Sequence, residues 1–196
     1  EFIPAQIVSW NQFKQTFPDA LVLSRETGFS RPYGDNPYFG YDQVGTPTFF
    51  PVPLDDPRLD AKARVLTVER DGDYVAFPFS ALEEHGVIHA DVGGAPVVAF
   101  WQPGTLSALD QGAISGSRDV GAAAAFVPVV DGERLTFEAR DGAIVDTASG
   151  STWNVLGRAV DGPRAGEVLA PVLSANHLWF AWAVFRPETR VITGPE

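Results

Sequence analysis

Arg64-Val65-Leu66-Thr67-Val68-Glu69-Arg70-Asp71-Gly72-Asp73-Tyr74-Val75-Ala76-Phe77-Pro78-Phe79 is the stretch whose reading decides the fold class. Runs rich in Val and aromatic residues flank an Asp-Gly pair, which accepts the positive φ angles of a type I′ hairpin turn. The stretch reads as two antiparallel strands, Arg64 to Glu69 and Asp73 to Phe79, joined at Asp71-Gly72. The same pair recurs at Asp131-Gly132, Asp141-Gly142 and Asp161-Gly162. Ala124 to Val130, Glu133 to Ala139 and Ala143 to Asp146 surround the middle two, and Pro96 to Trp101 is apolar throughout, as a buried strand is. With 19 Gly and 16 Pro in 196 residues, long helices are excluded. The expected fold is mainly β, a β-rich α+β chain: an antiparallel meander or barrel-like sheet with two or three short helices.

The helices have local signals. Ser9 can cap a turn or two that carries Trp10, Phe13 and Phe17 on one face and stops at Pro18. Ser80 and Glu83 have capping-box spacing, and Gly86 ends that helix after His85. Asn176 to Phe185 is apolar all round and reads as a buried helix, with a buried strand as its competitor.

One internal echo spans nearly the whole chain. Trp10-x2-Phe13-x4-Pro18-Asp19-x2-Val22-Leu23 returns as Trp179-x2-Trp182-x4-Pro187-Glu188-x2-Val191-Ile192. It is a chance likeness, a pseudo-symmetric pair of elements, or the period of a tandem array. The chain is accordingly read as one domain over residues 1–196, or as one unit of a tandem or pseudo-symmetric repeat.

Composition narrows the partners. Lys plus Arg is 14 against 25 Asp plus Glu, a formal charge of −11, so a phosphate backbone is repelled and no nucleic-acid partner is expected. Apolar residues at 45% exclude disorder. No stretch approaches the ~20 apolar residues of a membrane span. Cys is absent, which removes disulfides, thiolate nucleophiles and Cys-type zinc sites together. Met is absent too, so Glu1 is expected to begin a processed or excised chain.

No nucleophile elbow, phosphate loop, dinucleotide fingerprint or zinc-protease helix is present. Of the three histidines, His85 and His89 are four apart and could share a face, but Gly86 interrupts a helix there. No metal and no cofactor is expected from so sparse a set. Residues 28 to 60 have no clean period, and long irregular segments are often functional loops. Within them Arg31, Tyr33, Asn36, Tyr38, Tyr41 and Asp42, with Asp35, resemble the lining of a polar small-molecule or sugar pocket. The competing reading is a loop that satisfies its own polar groups while its Tyr rings cover the core. Asp146, Ser149, Ser151 and Trp153 form a second polar cluster, readable as a ligand site or as a tight turn. Arg118 could anchor a carboxylate or phosphate. His177, Asp146 and Asp42 are the first candidates for acid–base catalysis, and His85, Arg118, Ser151 and Trp153 join the loop as candidate ligand contacts.

Several phrases together resemble the bacterial and archaeal family known as domain of unknown function 3179. They are Val22-Leu23-Ser24-x2-Thr27-Gly28-Phe29-x-Arg31, Tyr33-Gly34-x-Asn36-Pro37-Tyr38-x-Gly40-Tyr41 and Val92-Gly93-Gly94-x-Pro96-Val97-Val98. Phe100-Trp101-x-Pro103-Gly104-Thr105, Leu135-Thr136-Phe137, Asp146-x3-Ser149-Gly150-Ser151-x-Trp153 and Trp179-Phe180-Ala181-Trp182 follow in order. The resemblance implies an exported or membrane-anchored protein of an extracytoplasmic compartment, and brings no established activity. Many members carry a His before the Val-Gly-Gly phrase and a Cys-Pro-Leu-Cys run after the Pro-Val-Val strand. Here His85 falls near that His, but Phe100 to Thr105 replaces the Cys run, so no thiol-dependent activity carries over. The expected function is binding of a small polar ligand as an accessory domain. The alternatives are a thiol-free hydrolase with His/carboxylate chemistry and a structural envelope repeat with a tandem or oligomeric partner.

Overall fold

The computed structural model describes residues 5–31, 33, 36–49, 51–53 and 56–195. Trp10–Thr16 forms helix α1. Its capping box is closed: Ser9 Oγ accepts from the Gln12 N–H at 3.3 Å, and the Gln12 side chain accepts from the Ser9 N–H at 3.0 Å. Arg64–Arg70 (β1) and Asp73–Pro78 (β2) make the first hairpin, with Asp71 at φ 50° and Gly72 at φ 81°. β2 then runs straight into Phe79–His85 (α2). The N-cap is therefore Pro78, and Ser80 lies inside the helix, so the expected Ser80/Glu83 capping box does not form. Gly86, at φ 67°, ends α2 as expected.

Val87–Val92 (β3), Ala95–Gln102 (β4) and Ala122–Val127 (β5) follow. Val129–Val130 (β6) and Glu133–Arg134 (β7) turn at Asp131-Gly132, and Phe137–Arg140 (β8) and Ala143–Asp146 (β9) turn at Asp141-Gly142. Thr152–Trp153 (β10), Ala159–Asp161 (β11) and Ala170–Pro171 (β12) are short. The apolar run near the C-terminus divides between both readings: Ser174–Leu178 is a strand (β13) and Trp179–Ala183 a helix (α3). Arg190–Val191 (β14) completes the order.

The fourth Asp-Gly pair is not a two-residue hairpin. Asp161 ends β11, and the chain returns only where the Gly166 N–H donates to the Ala159 carbonyl at 2.9 Å. Tertiary packing overrides the local preference: a Cβ on Gly162 would lie 2.7 Å from Ser151 Cα.

The protein is mostly β. A first sheet has the order β13-β1-β2-β14, a second β12-β5-β4-β3 and a third β11-β10-β9-β8, with a separate β6-β7 ribbon. None closes into a barrel, so the expected barrel-like sheet is replaced by stacked open sheets. Pairing is antiparallel except for β14, which runs parallel to β2.

Period-two burial explains the stacking. Leu66, Val68, Val75 and Phe77 of the first sheet meet Val97, Ala99, Ala123 and Ala125 of the second. From the opposite face of the second sheet, Val98, Phe100, Ala124 and Phe126 meet Phe137, Ile144 and Trp153 of the third. The second sheet is thus covered on both faces, which is why β4 up to Trp101 and all of β5 are apolar. On the outer face of the first sheet, Val65 and Ala76 pack against Trp179 and Ala183 of α3. α3 is not buried all round as expected, because it lies on an outer face: Phe185, just beyond it, is 74% exposed.

Two glycines in the left-handed region separate backbone strain from crowding. Gly142, at φ 79°, has open space where a methyl group would stand, whereas Gly162, at φ 91°, does not. Gly142→Ala should lower Tm by about 2–6 °C from left-handed strain alone. Gly162→Ala should lower it at least twice as far; equal drops in thermal denaturation would contradict the Ser151 contact.

Candidate functional site

The stretch 36–42 is held by the loop after β4. The Asn36, Gly40 and Tyr41 N–H groups donate to the Gly112, Asp110 and Leu109 carbonyls at 3.0, 2.8 and 3.0 Å, and the Asn36 amide donates to the Gln111 carbonyl at 3.1 Å. This brings Asp42 inside, at 2% exposure. Its Oδ2 accepts from the Ser107 hydroxyl at 2.6 Å and faces Arg64 at 2.6 Å and Arg118 at 2.9 Å. Arg118 also bonds Asp110 at 3.0 Å and the Asp42 carbonyl at 3.0 Å. Burial pushes the Asp42 carboxyl up, but the Ser107 hydroxyl and the Arg118 and Arg64 guanidinia outweigh it and hold it below the usual carboxylate range. So firmly ionised a carboxylate, with Oδ2 saturated, is a poor proton acceptor and a good anchor. Asp42 Oδ1 is buried with no partner among the described residues.

Beside this knot the Tyr41 and Phe49 rings stack at 4.1 Å, and Tyr38 stands 6.4 and 6.2 Å from them. Lys62 Nζ sits 4.3 Å over Tyr41. The rings form a surface patch rather than a cover for the core, since Tyr38 and Phe49 are 52% and 61% exposed. Arg31 is exposed, and Tyr33 OH lies 2.7 Å from Thr27 Oγ1. Pro32, Gly34 and Asp35 lie outside the described residues.

Asp146 is fully buried at the end of β9. It accepts from the Ser149 N–H at 2.7 Å, the Ser149 hydroxyl at 2.6 Å and the Trp153 indole at 3.2 Å. Ser151 Oγ is 2.7 Å from Ser149 Oγ and accepts from the Arg164 N–H at 2.9 Å. Burial raises the Asp146 carboxyl, but these donors and the Arg164 charge bring it below its usual range. The arrangement is a tight turn whose carboxylate satisfies a buried indole.

The histidines stand apart. His85 ends α2 beside Gly194. His89 Nε2 is 3.0 Å from the Phe137 N–H and 3.1 Å from its carbonyl. His177, half-buried on β13, has its ring 5.3 Å from Trp182, and no hydrogen bond to it is found among the described residues. Neither Asp42 nor Asp146 reaches His177, so the pairs expected for acid–base catalysis are not formed. Asn36, Tyr38, Tyr41, Asp42 and Arg118 come together; Asp146, Ser151 and Trp153 come together elsewhere; His85 and His177 join neither. Among the described residues no three His, Asp or Glu side chains gather as a metal site would require.

Two clefts accompany these groups. One, of about 490 Å³, runs between α1 and residues 152–160 and is lined by Gln12, Gln102, Asn154 and Arg158. Two of its amides are already engaged: the Gln102 side chain accepts from the Val155 N–H at 2.8 Å and Asn154 donates to Thr16 at 3.1 Å. The other, of about 520 Å³, opens on the outer face of the first sheet between Thr67, Glu69, Ser174 and His177 on strands and Trp182, Phe185 and Arg186 at α3. Glu69 lies four residues along β1 from Val65, the register partner of His177, so they stand about 13 Å apart along the strand. Arg64, Ser107, Glu69 and Arg186 were not singled out from sequence. An arginine opening an apolar strand was the available sign that Arg64 needed a buried acid.

Asp42→Ala leaves Arg64 without its acid and Arg118 with Asp110 alone, and should cost about 3 kcal/mol in chemical denaturation. Arg118→Ala should cost less than Arg64→Ala, because its side chain is 43% exposed against 19%. Burial holds His89 and His177 below the ordinary value of 6.5. The unfolded chain therefore takes up protons first, and stability should fall as pH drops below about 6.5. A second loss follows below about 3.9, where Asp42 and Asp146 protonate in the unfolded chain before the native one. Tm against pH should show both steps, with the upper one reduced in His89→Gln/His177→Gln; a flat profile from about pH 7.5 to 5 would refute it.

No curated protein and no solved structure matches the chain. A family described as "Protein of unknown function (DUF3179)" matches over residues 1–189 of 196. With nearly its whole length inside that match, the chain belongs to the DUF3179 family.

Proposed function

We propose that this chain is a ligand-binding domain and that the cleft beside α3 is its recognition site. The observation that carries the reading is His177: a half-buried imidazole with no hydrogen bond among the described residues, on the wall of a cleft of about 520 Å³. That volume lies in the range of small-molecule sites. Phe185 and Leu173 leave apolar surface open at its rim, 74% and 38% exposed. Burial keeps the ring neutral near pH 7, so it offers one donor and one acceptor. The ligand class is small, flat and amphipathic, with its apolar body against Trp182 and Phe185 and its hydrogen-bonding end at His177. Net charge is not what selects it, since Glu69 and Arg186 face each other at 3.8 Å. An accessory role outside the cytoplasm belongs to the same reading and rests on the family resemblance alone.

The test uses 4-hydroxybenzamide and related aromatic amides as probes, followed by NMR shifts of the Trp182 indole and His177 ring. Phe185→Ala should leave Tm nearly unchanged and weaken binding about tenfold, the scale of one lost apolar contact. His177→Ala should weaken it at least as much, and parent affinity should fall on acidification as the imidazole charges. Shifts confined to Tyr38, Tyr41 and Phe49, or His177→Ala binding like the parent, would move the site elsewhere.

A further inference from the structure

The two echoing stretches have different surroundings. In the second, α3 lies on the outer face of the first sheet and β14 completes that sheet's edge. Trp179 is fully buried, and Ile192, at 6% exposure, donates its N–H to the Ala76 carbonyl at 3.0 Å. In the first, helix α1 forms and the chain turns at Pro18, but the apolar strand that should follow meets no sheet. Every residue from 18 to 31 is exposed, with Val22 at 63% and Leu23 at 99%. Trp10, the counterpart of Trp179, is 57% exposed.

Single apolar residues on a surface need no explanation. Leu21-Val22-Leu23 is different: consecutive apolar side chains on extended backbone, with no backbone hydrogen bond among the described residues. The element is nevertheless held in place at its start. Ser9 donates to Thr105 Oγ1 at 3.0 Å, Gln12 to the Pro103 carbonyl at 3.2 Å, and Asn154 to Thr16 at 3.1 Å, while Arg158 covers the Phe17 ring at 5.0 Å. One side of α1 is anchored to the body, and Trp10 and the strand are left open.

The docked copy shows what such an element fits: the outer face of a first-type sheet together with the edge of its β2. In this chain that place is filled by α3 and β14. The geometry points to a second unit of this fold as the partner of Trp10–Leu23. The neighbour is a unit without its own α3 and β14 that takes this element instead, as successive units of an array would. Trp10 then stands where Trp179 does, Val22 where Val191 does and Leu23 where Ile192 does. Leu21 falls at the position of Arg190, so the ion pair of Arg190 with Asp73, 2.9 Å here, has no counterpart across the junction. The contact is head to tail, so it propagates rather than closes.

Two experiments decide it. In the first, residues 5–178 are spliced directly to residues 10–196, so that Trp10–Leu23 follows one unit's β13 as α3 does. Amide exchange at Leu21 to Leu23 of the junction should slow about 100-fold or more relative to the single chain, with β1 and β2 of the first unit still protected. Junction amides exchanging as in the single chain would overturn the proposal, and so would loss of protection in the first unit, whose slot would then be unfilled. In the second, Glu188→Asp, Thr189→Ala, Arg190→Leu and Ile192→Leu write the N-terminal strand into the β14 position of the intact chain. Cooperative unfolding should persist, with Tm lower by no more than about 10 °C. A chain that no longer unfolds cooperatively would show that the two strands do not fit one place.

Discussion

The structure depends on one sheet having no free face. β4 and β5 present Val97, Ala99, Ala123 and Ala125 to one side and Val98, Phe100, Ala124 and Phe126 to the other. Neither neighbouring sheet can be moved without uncovering it, and burial at about 25 cal/mol per Å² makes that costly on both sides. The four successive alanines of β5 set how large the facing side chains can be, so Phe77 and Trp153 fill space that β5 leaves. Positions free to carry chemistry are therefore pushed to the outer layers, and the cleft beside α3 lies on one of them.

The loop between β4 and β5 ties the irregular N-terminal third to this frame. Its backbone carbonyls receive residues 36–41, and its Ser107 and Arg118, the latter also paired with Asp110, receive Asp42. The Asp42 charge is out of water with Ser107, Arg64 and Arg118 gathered on its Oδ2, which is why the segment is tied to the body there although it has almost no regular structure. The polar residues that looked most like a binding site are largely occupied in holding the loop down. The half-buried imidazole of His177 is not.

What could be read from the chain was what is local. Asp71, Asp131 and Asp141 adopt positive φ as Asp-Gly pairs prefer, and the Ser9/Gln12 cap needs only residues within one turn. The Asp161-Gly162 loop escaped because Ser151, ten positions before it, decides its shape. The strand-to-helix change at Leu178 and Trp179 escaped for a similar reason. β13 is kept extended by its ladder to β1, which the Trp179 N–H continues by one step to the Ala63 carbonyl at 2.8 Å before the helix takes over. Of the candidate residues, the Asp42 to Arg118 partnership was open to guesswork. The second guanidinium, from Arg64, was not, since nothing in the spacing of residues 42, 64 and 118 brings them together.

Both outer strands of the first sheet come late in the chain. β13 pairs with β1 and β14 with β2, so each edge of the early hairpin waits for partners more than a hundred residues downstream. During synthesis the hairpin leaves the ribosome with two bare edges and its outer face uncovered, and stays so until α3 and β14 have been made. Such long-range closure makes folding slow and leaves nascent chains open to edge-to-edge pairing with one another. Expression yield should therefore depend on how long translation takes between β2 and β14, a property of the message and of chaperone supply rather than of native stability.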